Sequence, residues 1–188
     1  MFWQLSKSKL ISLLFWVGLG YFLPSAGLAQ NSYELNTDNT KVIFRAKHLG
    51  FLDVDGTFNK LEGALTIEGS KITSADVVLY TNSITTKNKS RDRSLKSEGF
   101  LNSRVHPTIR FKSSGDVPQD HVKGTLTIKG KSKIISVQYT ISKQNGKISL
   151  KAEYLLNRTE FDLDFGTMDG LISEVISIKI SLDLPPSD

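Results

Sequence analysis

The chain has 188 residues, of which 39% are hydrophobic, with 24 basic and 19 acidic side chains and no cysteine. One domain is the expectation at this length, and the apolar content and small net charge exclude a disordered chain. Without a thiol there is no disulfide scaffold, thiolate metal site, cysteine nucleophile or cysteine-linked lipid anchor.

Residues 1–29 read as a secretory signal. Lys7 and Lys9 precede an apolar run from Leu10 to Leu23, and small residues end at Gly27-Leu28-Ala29. Fourteen apolar residues fall short of the roughly 20 that span a bilayer. The expected mature unit, 30–188, loses two lysines and no acid, so the formal charge drops from +5 to +3. A mildly basic, exported domain is a poor candidate for nucleic acid; its expected location is the periplasm or the outside of the cell.

From Tyr33 onward the dominant period is two. Val42, Phe44, Ala46 and His48 share one parity, and Leu61, Gly63, Leu65 and Ile67 share another. Phe58 is out of step with the second set, which predicts a bulge near Asn59-Lys60. Residues 72–81 form a further strand. Thr85–Asn102 is polar and lacks strand signal; Ser90–Glu98 within it suits a short helix capped by Ser90. Lys87, Lys89, Arg91, Arg93 and Lys96 stand there against Asp92 alone. They make either a solvated loop or an electropositive lid suited to a phosphate or carboxylate head.

Residues 108–113 lead into the alternating runs Val122–Ile128, Ile135–Ile141, Ile148–Leu156 and Ile176–Leu184. Gly69-Ser70, Gly130-Lys131 and, above all, Asn145-Gly146 mark turns. About eight half-wet antiparallel strands make a two-sheet sandwich or a closed barrel. Small inward residues at Gly124, Ala46 and Ala152 favour a barrel with a cavity. The segment Gly63–Gly69 echoes Gly124–Gly130, as shared strand grammar.

Catalytic motifs are sparse. His48, His106 and His121 lack zinc spacing, and the glycine spacing from Gly124 to Gly130-Lys131-Ser132 does not match a phosphate loop. Asp53/Asp55 and Asp162/Asp164 are closely spaced, but suit turns better than a calcium loop. His48 lies on an apolar strand face, where its ring needs a protein, water or ligand partner. Arg158 stands at a strand end, with Glu160 and Asp162 in reach as partners.

Several segments together resemble the YceI-like proteins, exported lipid- or polyisoprenoid-binding barrels. They are Thr40-Lys41-Val42-Ile43-Phe44 with His48-Leu49-Gly50; Gly56-Thr57-Phe58; Ser83-Ile84-Thr85-Thr86; Arg91-Asp92-Arg93-Ser94-Leu95; His106-Pro107-Thr108-Ile109-Arg110-Phe111; and Asn157-Arg158-Thr159-Glu160-Phe161. Ser94 replaces the family's usual His, and Asp162 its usual Gly.

The resemblance implies an all-β, lipocalin-like antiparallel barrel that holds a polyisoprenoid or similar long-chain amphiphile. Phe44, Phe58, Phe111, Leu126, Tyr139, Tyr154 and Ile178 would line the cavity. His48 would meet the ligand, while Arg91, Asp92 and Arg158 would orient its head or latch the lid. No cofactor is expected beyond the bound lipid; transient membrane contact and a homodimer are further expectations. Two alternatives are an enzyme acting on an isoprenoid or quinone-type lipid, with His48 or His121 as acid–base, and a ligand-free, stress-associated interaction module.

Overall fold

The computed structural model describes residues 30–115 and 120–184; the expected export signal lies outside the described residues. Among the described residues, eleven strands form one antiparallel sheet that curls around a common interior, with a single α-helix and three 3-10 turns.

The strands are β1 (Gln30–Leu35), β2 (Thr40–His48), β3 (Leu52–Phe58), β4 (Leu61–Glu68), β5 (Lys71–Tyr80), β6 (Ile84–Thr85), β7 (Thr108–Ser113), β8 (His121–Ile128), β9 (Lys131–Gln144), β10 (Lys147–Asn157) and β11 (Val175–Leu184). Their lateral order is β1-β4-β5-β7-β8-β9-β10-β11-β2-β3-β6. The ladder therefore begins at β1 and ends at β6.

The alternation in the sequence becomes the two faces of this sheet. Val42 and Phe44, Leu65 and Ile67, Val137 and Tyr139, and Leu150 and Ala152 are buried, while their odd-step neighbours face solvent. Asn145 and Gly146 take φ of 50° and 78° and join β9 to β10 in two residues, the geometry that matches strand twist.

Three strands exceed the eight read from the sequence: β1, β3 and β6. β3 looks like a turn because of Asp53, Asp55 and Gly56. In the sheet those aspartates face outward, opposite Lys47 and Arg45 of β2. The Arg45 guanidinium grips Asp55 at 2.6 and 2.7 Å, and Lys47 reaches Asp53 at 2.8 Å. Cross-strand charge pairs thus carry a strand that composition disfavours.

Other expectations need correction. Asn59-Lys60 is no bulge: Phe58 ends β3 and Leu61 begins β4, and the two strands are not ladder partners. The register shift lies between β4 and β5, where Thr66 pairs with Ser74 but Ile67 with Ile72, leaving Thr73 as the extra residue. The turn before β9 is Lys129-Gly130, both at positive φ, one residue earlier than read. The helix α1 spans Lys89–Lys96 and is capped by Asn88, not Ser90. Asn88 Oδ1 accepts from the Ser90 and Arg91 amides at 3.1 and 3.0 Å.

Candidate functional site

The inward side chains leave an internal cavity of about 490 Å³. This lies within the range of roughly 300–1,000 Å³ typical of small-molecule sites. Nine of the eleven predicted site residues are on its wall: Phe44, His48, Phe58, Arg91, Phe111, Leu126, Tyr139, Tyr154 and Ile178. The Phe44 and Phe58 rings meet at 6.0 Å with a 59° tilt. Phe44 lies over Gly56 and Phe111 over Gly124, where a Cβ would collide with either ring. Each glycine seats an aromatic ring of the neighbouring strand.

The wall's few hydroxyl groups are mostly committed or neutral. Tyr139 Oη accepts the Ile72 amide at 3.0 Å. Burial, with a smaller contribution from Glu160, pushes the Tyr154 phenol up from its ordinary value, so it stays un-ionised.

Solvent reaches the cavity at one end. The wall residues that are also exposed are Lys47, Asn88, Ser90 and Met168. They belong to the end of β2, the start of α1 and the 3-10 segment Gly166–Leu171. His48 sits beside this mouth, bridged to Ile172 through its backbone. Its imidazole has no hydrogen-bond partner among the described residues. Arg91 is fixed on one side, its Nε donating to Thr86 Oγ1 at 2.9 Å and its Nη2 to the Thr86 carbonyl at 3.5 Å. Its Nη1 has no partner among the described residues.

Asp92 and Arg158 are not on the wall. The Asp92 carboxylate accepts from the Thr85 hydroxyl at 3.0 Å, and from the Thr86 amide and hydroxyl at 2.7 and 2.6 Å. Burial alone would raise its pKa, but these bonds outweigh it and hold the carboxyl below its usual value. Asp92 thereby ties α1 to the segment after β6.

Arg158 is 1% exposed. Its Nε donates to the Ser173 carbonyl, Nη1 to the Leu163 carbonyl and Asp169 Oδ1, and Nη2 to the carbonyls of Asp169 and Ile172. A guanidinium has five N–H donors, and all five are committed. The expectation that Arg158 orients a ligand head therefore needs correction: no donor is left. Its ion partner is Asp169, at 2.6 Å, not Glu160 or Asp162. The hydrogen bond from Arg158, the Phe165 amide and the adjacent positive charge keep the Asp169 carboxyl below its usual range.

The two departures from the family pattern also have places. Ser94 lines the cavity beside Arg91, its hydroxyl donating to the Ser90 carbonyl at 3.4 Å. Asp162 adopts φ 50° and ψ 41°, the left-handed region that glycine enters most easily. Its side chain pairs with Lys131.

Sequence reasoning missed Lys129, Asp169 and Phe165. The Lys129 ammonium donates to the carbonyls of Gly99 and Asp162 at 2.6 and 2.8 Å, joining two loops. Phe165 packs on Phe100 at 4.3 Å. None of the three carries a local signal, because the partner each ties to the rest of the fold, Gly99 for Lys129, Arg158 for Asp169 and Phe100 for Phe165, is brought near only by folding.

Among the described residues, no group of three or more His, Asp or Glu side chains could hold a metal ion, and no helix is long and apolar enough to cross a membrane. His121 pairs with Asp120 at 2.8 Å and is not on the cavity wall. Of the two histidines considered for acid–base chemistry, only His48 reaches the cavity.

A family model described as the YceI-like domain matches residues 33–184. A UPF0312 protein of Pectobacterium carotovorum is 29% identical over 170 residues, covering 82% of this chain and 88% of its own. Protein YceI of Salmonella arizonae is 29% identical over 186 residues, covering 90% and 93%. Among solved structures, Burkholderia cenocepacia BcnA superposes with a TM-score of 0.71 at 21% identity, covering 77% of this chain and 96% of that one. A polyisoprenoid-binding domain from Saccharophagus degradans gives a TM-score of 0.66 at 17% identity, covering 83% and 98%. At these identities the superpositions speak for the fold.

Proposed function

From its membership of the YceI-like domain family, to which the chain belongs across residues 33–184, we infer that it is an exported carrier of a long-chain amphiphile. The preferred class is a polyisoprenoid or a lipid of similar shape, held tail-inward. The observation that carries this reading is the cavity: its wall is almost wholly apolar, and the His48 imidazole and the Arg91 Nη1, both without a partner among the described residues, stand by the mouth. The name of the Saccharophagus domain agrees with the ligand class.

The energetics suit a binder that does no chemistry. Ten buried methylene groups contribute about 8 kcal/mol gross at about 0.8 each, against a substantial association cost. A tail reaching Tyr139 meets an oxygen already engaged by Ile72, so an apolar terminus fits there. An anionic head at the mouth would find the free Nη1 of Arg91, its guanidinium steadied by Thr86. Asp92 and Arg158 act one step back, by holding the mouth in shape. Export is supported by the apolar leader at residues 1–29, and the mature chain would work in the periplasm or outside the cell.

The test is organic extraction and native mass spectrometry of protein purified from the exported fraction of its own host. A long-chain amphiphile in near-stoichiometric amount is the expected result. Protein that carries no lipid, and that also fails to bind the apolar fluorophore N-phenyl-1-naphthylamine, would overturn the reading.

A further inference from the structure

The mouth of the barrel carries apolar side chains that none of the described residues covers. The β2–β3 turn and the first residue of β3 present Leu49, Phe51 and Leu52, and the Gly166–Leu171 segment presents Met168 and Leu171; all five are exposed, Phe51 by 71%. The two segments touch. The Leu49 amide donates to the Leu171 carbonyl at 2.7 Å, and His48 bridges Ile172. The side chains therefore form one patch, beside the solvent-reached end of the cavity that Met168 and Lys47 help to line.

The helix α1 borders the same opening and is two-faced. Arg91, Ser94 and Leu95 turn toward the cavity. Lys89, Arg93 and Lys96 share the opposite side at helical spacing, with Lys87 just before the helix. The one acid of this stretch, Asp92, is occupied by Thr85 and Thr86. Nearby acids are largely neutralised, Asp53 by Lys47 and Arg45, and Asp169 by Arg158. Glu98, Glu160, Asp164 and Glu174 remain as exposed acids of the mouth loops, against the local run of Lys87, Lys89, Arg91, Arg93 and Lys96 in and just before α1.

Large exposed apolar side chains with a cluster of cations alongside are the chemistry that binds an interface of anionic lipid. We propose that this mouth face docks on an anionic phospholipid bilayer, with Phe51 and its neighbours at headgroup depth and the outer side of α1 against phosphates. The inference deepens the carrier reading and rests on it for its purpose: an apolar tail then passes between bilayer and cavity without crossing water. A symmetric dimer through the same patch is opposed by the cations of α1, which it would bring together.

Flotation of the purified protein with phosphatidylcholine vesicles, with and without phosphatidylglycerol, tests the proposal. Binding to the anionic vesicles is expected to exceed that to neutral ones by about tenfold, and to fall as salt rises. The double variant Phe51→Glu/Leu171→Glu, and separately Lys89→Glu/Arg93→Glu, should each lower anionic-vesicle binding by about tenfold. Both should still bind N-phenyl-1-naphthylamine in the absence of vesicles, which shows a folded barrel with an open cavity. Wild-type protein that does not float with anionic vesicles, or variants that float as well as wild type, would overturn the proposal. So would a dimer in sedimentation that Phe51→Glu dissolves, since it would give the patch to a second copy. If vesicles bind but the fluorophore does not enter, the carrier reading fails and the docking face stands; the reverse result leaves the carrier and removes the docking face.

Discussion

Along β10 and β11 the ladder repeats one kind of contact through ten residue pairs, with Leu150, Ala152, Leu156, Ile176 and Leu182 buried on the inner face. The loop from Arg158 to Ser173, joined to the same two strands, is organised instead around one guanidinium that reaches four backbone carbonyls and one carboxylate. The wall is redundant, so removing any one side chain leaves its neighbours packed. The mouth is less so, because one residue carries five of the bonds that hold the segment, beside single contacts from Lys129, Phe100 and Leu49. Under the carrier reading, the wall would set which molecules fit and the mouth how they enter. A carrier gains from that division, since its entrance can open without loosening the barrel.

The contrast is broken most directly at Arg158. Arg158→Met strips the loop of five hydrogen bonds and leaves Asp169 without its cation. A loss of about 3 kcal/mol or more is expected in urea unfolding, with fast hydrogen exchange confined to residues 159–173. Exchange that rises equally in β9 and β10 would show that the loop is part of the wall.

Asp92→Ala removes the acceptor for two hydroxyls and one amide. It should cost about 2 kcal/mol and raise exchange in α1 while the strands stay protected. An unchanged helix would mean that Asn88 capping alone secures it.

The wall is probed from inside. Ala46 is a small side chain on the cavity surface, and Ala46→Trp puts an indole into the space. Affinity for N-phenyl-1-naphthylamine should fall about tenfold, with a stability change no greater than the roughly 1–3 kcal/mol of overpacking. Undiminished binding would place the probe elsewhere.

The smallest effect is acidification. Asp92 and Asp169 both have carboxyls held below the usual value near 4. Their contribution is complete above that value and is lost as the pH falls through their folded-state values. Below about pH 4 the mouth should therefore exchange faster before the strands do. Simultaneous loss across the chain would contradict the division.

The same contrast explains what could be read from the sequence. Period-two alternation names the inner face of the wall, and the seven aromatic and aliphatic side chains expected to line a cavity once the family resemblance is added all reach it. Alternation is a local property, repeated often enough to be unambiguous. β3 and β6 escaped because their stability is borrowed, from the charges of β2 in one case and from the end of β3 in the other. At the mouth, Arg158 and Asp92 stand out as residues, yet their work depends on partners that folding alone brings near. A buried guanidinium and an exposed one look identical in a sequence.

Thr73 carries a consequence of another kind. Ile72 lies on the even parity of β5 and Ala75, Val77 and Leu79 on the odd, yet all four line the cavity, because the extra residue between them resets the count. The spare amide of Ile72 that the irregularity leaves is taken up by Tyr139 from the far side of the barrel. Strand β5 can therefore exchange one apolar residue for another more readily than it can change length. Losing the single polar Thr73 would turn one half of the strand inside out, so variation in this family member is bounded there by arithmetic before chemistry.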